Sequence, residues 1–191
     1  MEDDVEDADL EDMLKIEDSA QIPGLKVLTP PIFEDHRGQY VETFNIRDYR
    51  FHNGNGELLS WVEDDISCSK AGVLRGLHGD DRTWKLIQCL HGRIFLAVID
   101  LRRDSPAYGR WQGFDLDDRE RRQVLIPAGC ANGHYAIEAC IFSYKQSHLY
   151  RGAEFQFTVR WNDPAFAIQW PCEDPVTSER DRSAPDWILE S

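Results

Sequence analysis

Long apolar runs are missing from this 191-residue chain. Nowhere do about 18 apolar residues follow one another, which excludes a helical membrane span. A surplus of basic charge is missing too. There are 21 Lys and Arg against 35 Asp and Glu, for a net charge of −14. That balance excludes a broad surface for nucleic acid, which needs clustered Lys and Arg. Lysine is scarce: 5 of the 21 bases. The opening residues lack the basic stretch of a secretory leader. Paired CxxC spacing is also lacking. The five cysteines (Cys68, Cys89, Cys130, Cys140, Cys172) are an odd number scattered through apolar stretches. We read them as reduced thiols of a cytoplasmic protein.

What is present divides unevenly. Residues 1–20 carry −9, and the other 171 residues carry −5. We read residues 1–21 as an acidic, solvated tail and 22–191 as one domain. From Ile22 onward, short β-branched and aromatic runs alternate with Gly, Pro and Asp turns. Strand-length runs are Leu25–Leu28, Gln39–Phe44, Trp84–Leu90, Arg93–Leu101, Gln123–Pro127, Ala139–Gln146, Gln156–Arg160 and Phe166–Trp170. Many short strands at this spacing predict an antiparallel barrel or a double-sheet jelly roll. Helical turns are expected only near Ile46–Phe51 and Ser178–Ser183.

Four segments carry chemistry. Leu74-Arg75-Gly76-Leu77-His78-Gly79 sets a guanidinium, an imidazole and two glycines on one strand. If that strand is regular, Arg75 and His78 lie on opposite faces. Lys85 interrupts an apolar strand, so its ammonium must reach water or a polar cavity. Pro127-Ala128-Gly129 opens a tight turn that runs into Asn132 and His134. Tyr144-Lys145 is followed by Tyr150, and Ser178-Glu179-Arg180-Asp181 has the form of a helix N-cap. Taken singly, His78 reads as a surface histidine, Lys85 as a snorkelling lysine and Tyr144 as a core residue.

In order, however, these segments form a recognisable set. With Phe33–Phe44, Ser67-Cys68-Ser69, Asp100-Leu101-Arg102, Trp161-Asn162-Asp163-Pro164 and Ile168–Pro171, the chain resembles the nucleotide-sugar 3,5-epimerases of the cupin fold, the family of dTDP-4-dehydrorhamnose 3,5-epimerase. The resemblance runs from about Gly24 to Pro185. It implies an all-β cupin jelly-roll barrel with short helical segments and an active site in the barrel mouth. It also implies a homodimer that swaps an N-terminal strand, a nucleotide-diphospho-4-keto-6-deoxy sugar as substrate, and a role in surface-polysaccharide sugar biosynthesis.

The implied chemistry is inversion at C3, C5 or both, through an enolate. His78 would be the base, Asp181 its carboxylate partner, Tyr144 the acid on the opposite face and Lys85 the cation at the developing oxyanion. Arg75, Asn132, His134 and Tyr150 would line the sugar and diphosphate pocket. Arg37, Tyr40 and Glu42 would be lent by the swapped strand. No cofactor is implied. Metal-binding cupins use His-x-His, which this chain lacks, so a metal-free site is expected.

The chain also departs from the family pattern. Asn132 stands where the motif has histidine, His134 stands two residues on, and Glu63-Asp64-Asp65 replaces Gln-Asp-Asn. Gly79-Asp80 after His78, a shortened loop to Lys85 and Gly-x-His-Tyr at residues 133–135 look more like the branch acting on GDP-linked 6-deoxy-4-keto-heptoses. His134 either lines the sugar pocket or packs in the core. A 3,4-ketoisomerase on the same scaffold, or a non-catalytic sugar-nucleotide binder, are the alternative readings.

Overall fold

The computed structural model describes residues 13–189. The strands are β1 (Lys15–Asp18), β2 (Lys26–Thr29), β3 (Ile32–Asp35), β4 (Gly38–Val41), β5 (Glu63–Ser69), β6 (Leu74–Gly79) and β7 (Lys85–His91), followed by β8 (Arg93–Asp100), β9 (Trp111–Asp117), β10 (Gln123–Ile126), β11 (Cys130–Ala136), β12 (Cys140–Gln146) and β13 (Phe157–Thr158). One short helix, α1 (Glu179–Ser183), follows. A six-stranded sheet has the order β1-β2-β10-β7-β12-β5, and a five-stranded sheet has the order β13-β6-β11-β8-β9. β3 and β4 pair only with each other. The fold is therefore the all-β jelly roll expected from the sequence.

β8 shows why two sheets form. Its apolar run does not alternate with polar residues, because both faces are covered. Ile94, Leu96 and Val98 enter the central core with Ile87, Val124, Ile126 and Phe142. Ala97 and Ile99 face the opposite way, onto Leu77, Val159 and Phe166. Side chains alternate along a strand, so a continuous apolar run needs a cover on each side. The C-terminal segment supplies the second one.

That segment departs from the expectation of a strand at Phe166–Trp170. The amides of Phe166 and Ala167 donate to the carbonyl of Asp163, and Ala167 adopts φ +48°. These turn bonds take the donors that a ladder would need. The sheet also begins inside the segment read as tail: Lys15–Asp18 pair with Lys26–Thr29, and Ile22 is fully buried. Residues 1–12 lie outside the described residues.

Two glycines set the spacing beneath the cavity. A Cβ on Gly76 would meet the Cα of Gly133 at 2.5 Å, and one on Gly133 would meet the carbonyl oxygen of Arg75 at 2.9 Å. β6 and β11 can approach this closely only with no side chain at either point. The register between them shifts between Asn132 and His134. Gly76 adopts φ +120°.

Candidate functional site

Between the sheets lies a cavity of about 830 Å³. The irregularity at Gly76 corrects the face assignment made for a regular β6: Arg75 and His78 both line this cavity. β7 contributes Lys85, β11 contributes Asn132 and His134, and β12 contributes Tyr144. β6 and β11 belong to the five-stranded sheet, while β7 and β12 belong to the six-stranded one.

The imidazole of His78 meets the carboxylate of Asp181, with Nε2 and Oδ1 2.6 Å apart. The other carboxylate oxygen accepts from the Gly76 amide at 3.3 Å. Asp181 is nearly fully buried. Burial alone would raise its pKa. The hydrogen bond and charge of His78, the Gly76 amide and Ser178 outweigh that and hold it below the ordinary carboxylate value. The chain delivers Asp181 here by two local devices. Val73 and Val176 form a parallel bridge that straps the C-terminal segment onto β6. Ser178 then caps α1, its hydroxyl accepting from the Asp181 amide at 3.1 Å. One motif thus caps a helix and sets a carboxylate against His78.

Lys85 is 7% exposed. Its ammonium donates to Asn132 Oδ1 at 3.0 Å and to the His78 carbonyl at 3.3 Å. Both acceptors are neutral. Burial dominates and pushes its pKa down to about 8, against the attraction of Asp80. Tyr144 is half-buried. Burial and the charges of Asp65 and Glu63 push its phenol pKa up, so it is protonated at neutral pH. Arg75 donates to Ser69 Oγ at 2.9 Å and to the Cys68 carbonyl at 3.3 Å. His134 lines the cavity, and it is buried, stacked on Phe142 with ring centroids 4.1 Å apart. Tyr150 stands at the rim, and its amide donates to Glu63 at 2.7 Å.

Arg37, Tyr40 and Glu42 are not brought to this cavity by their own chain. Arg37 and Tyr40 sit on the β3–β4 hairpin, where Arg37 pairs with Asp35 and Tyr40 is exposed. Glu42 follows the hairpin and accepts from Asn45. Charged lining residues given no site role from the sequence include Glu63, Asp65 and Arg180. A signal for the first two existed. β5 alternates Glu63, Asp65 and Ser67 with Asp64, Ile66 and Cys68, and it is the polar set that faces inward. Arg180 donates to Thr158 Oγ1 at 2.7 Å and faces the cavity beside Asp181.

The donor set has a clear chemical capacity. A carboxylate-backed imidazole can take a proton from carbon, a buried ammonium with neutral partners can meet a developing oxyanion, and a protonated phenol can return a proton. Among the described residues, no three His, Cys, Asp or Glu side chains gather as a metal site. None of the described helices is long and apolar enough to cross a membrane.

Comparison with known proteins places the chain in a family. The profile of the family described as dTDP-4-dehydrorhamnose 3,5-epimerase matches residues 19–188. The enzyme of that name from Methanothermobacter thermautotrophicus is 38% identical over 168 residues, covering 85% of this chain and 89% of the relative. The one from Pseudomonas aeruginosa is 39% identical over 165 residues, covering 84% and 90%. A crystal structure of dTDP-6-deoxy-D-glucose-3,5-epimerase from Legionella pneumophila, in complex with dTDP-4-keto-L-rhamnose, superposes with a TM-score of 0.81 at 35% identity, covering 90% of this chain and 92% of that one. With the matched span enclosing the whole cavity, the chain belongs to the dTDP-4-dehydrorhamnose 3,5-epimerase family of carbohydrate-epimerising isomerases.

Proposed function

We propose that this cavity epimerises a nucleotide-diphospho-4-keto-6-deoxy sugar at C3, C5 or both, through an enolate, in sugar biosynthesis. The observation that carries the reading is topological. The base candidate, His78, comes from one sheet, and the acid candidate, Tyr144, comes from the other. Epimerisation needs a proton removed from one face of the sugar and another delivered to the opposite face.

The C4 carbonyl acidifies the neighbouring C–H bonds. His78 takes the proton, and Asp181 orients the ring and steadies the imidazolium that results. Charge moves onto the C4 oxygen, where the Lys85 ammonium stabilises it. Tyr144 then donates its phenolic proton from the other side. Arg75 and Arg180 give the cavity positive charge for the diphosphate, although the chain as a whole is acidic.

A homodimer fits the same reading. The β3–β4 hairpin packs in neither main sheet and presents Arg37 and Tyr40 outward, as a segment lent to a neighbouring copy would. β5 forms an edge of the six-stranded sheet among the described residues.

The test is incubation in heavy water with dTDP- and GDP-linked 4-keto-6-deoxy sugars. Deuterium should enter at C3 or C5, and His78→Asn should abolish that exchange. Absence of exchange with either sugar would overturn the proposal. A product whose carbonyl has moved from C4 would identify a ketoisomerase instead.

A further inference from the structure

His134 has no part in the proton chemistry above. Its side chain is 3% exposed. It lines the same cavity as His78 and Tyr144 and stacks almost parallel on Phe142, at 15°. Its Nε2 is buried without a hydrogen-bond partner. Burial and the nearby Arg75 push its pKa down to about 3, so the ring is neutral at physiological pH. A neutral imidazole offers one donor nitrogen and one acceptor.

Packing alone does not account for this side chain. A phenyl ring would stack on Phe142 over a similar area and leave no polar atom unsatisfied. Several other polar groups of the cavity pair among themselves: His78 with Asp181, Lys85 with Asn132, and Gln146 with Glu63 and Asp65. A buried polar atom without a partner, on a residue that lines a ligand cavity, is explained when a small turn of the ring on binding brings that atom to a ligand group.

We propose that His134 is a specificity-determining residue, whose neutral imidazole hydrogen-bonds a hydroxyl of the bound sugar. The cavity thereby selects a sugar that carries a hydroxyl at a point where an apolar wall would accept a methyl or methylene. The inference rests on the epimerase reading and assigns that site's preference among 4-keto sugars.

The experiment is steady-state kinetics of the wild type, His134→Phe and His134→Gln. The substrates are the dTDP- and GDP-linked 4-keto-6-deoxy hexoses and the matching 6-deoxy-4-keto heptoses, whose longer side chain bears an extra hydroxyl. In His134→Phe, KM should rise about tenfold for the preferred sugar, the loss of one hydrogen bond, and by more than kcat falls. His134→Gln, which keeps a donor and an acceptor, should recover part of the loss. In the wild type, the His134 ring ¹⁵N resonances should shift on saturation with the preferred sugar. A loss confined to heptoses places the hydroxyl on the side chain, and a loss shared by both classes places it on the ring. Unchanged KM and unchanged sugar preference in His134→Phe, or unmoved ¹⁵N resonances, would overturn the inference. A wild type inactive on every sugar would instead overturn the epimerase reading beneath it.

Discussion

Lys85 should make activity and stability run in opposite directions with pH. In the unfolded chain its pKa is near 10.5, and in the fold it is about 8. The folded state therefore binds its proton less tightly than the unfolded state. Between pH 8 and 10.5 the unfolded chain holds more protons, so stability rises with pH across that window. Below pH 8 the ammonium is buried at full cost. The difference amounts to about 3 kcal/mol, at about 1.4 kcal/mol per tenfold. Under the proposed mechanism activity should do the reverse, because the ammonium, not the neutral amine, would stabilise the enolate.

Two measurements check this. The pH profile of kcat/KM for solvent exchange, which reports the free enzyme, should fall about tenfold per pH unit above 8. Denaturant unfolding of the wild type and Lys85→Met should show the variant more stable near neutral pH, with the gap closing toward pH 10.5. Cys89 and Cys130, whose burial pushes their thiols up to about 12, lower stability above pH 9; Cys89 drops out of the difference, while Cys130, which feels the Lys85 charge, leaves a residual there. A kcat/KM flat to pH 9.5, or a stability difference independent of pH, would refute the reasoning.

Asp181→Asn keeps the shape of the side chain and removes the charge that supports the imidazolium. The exchange rate should fall by about 10³–10⁴, and a variant with wild-type exchange would show that His78 acts without its partner. Tyr144→Phe removes the returning proton alone. Deuterium should still enter from the His78 side, while formation of the inverted product drops about 10²-fold or more; an NMR time course separates the two, and undiminished inversion would remove Tyr144 from the acid's role.

The sequence was most legible where local rules and tertiary packing agree. The β7, β8 and β12 runs and the helical turn at Ser178 appear close to where composition put them. His78 and Asp181, 103 residues apart, could be paired only through the ordered motifs of a family, because spacing says nothing about a contact closed by the fold. Phe166–Trp170 has strand composition, yet the turn around Asp163 takes its amides. Arg75 was assigned the wrong face because strict alternation ignores the break at Gly76. Glu63 and Asp65 were legible as a period-two pattern, but acids on a strand ordinarily face water. Here a cavity takes the place of water.

The strap that carries Asp181 also sets an order of events. His78 lies on the sixth of thirteen strands, and its carboxylate arrives on a five-residue helix after the last one. During synthesis, both sheets can be complete while the imidazole still has no partner. The same dependence separates folding from competence in the finished protein: loss of the chain beyond Val176 would remove the carboxylate without deleting a residue of any strand. Intact far-ultraviolet circular dichroism would then say nothing about whether the enzyme can work.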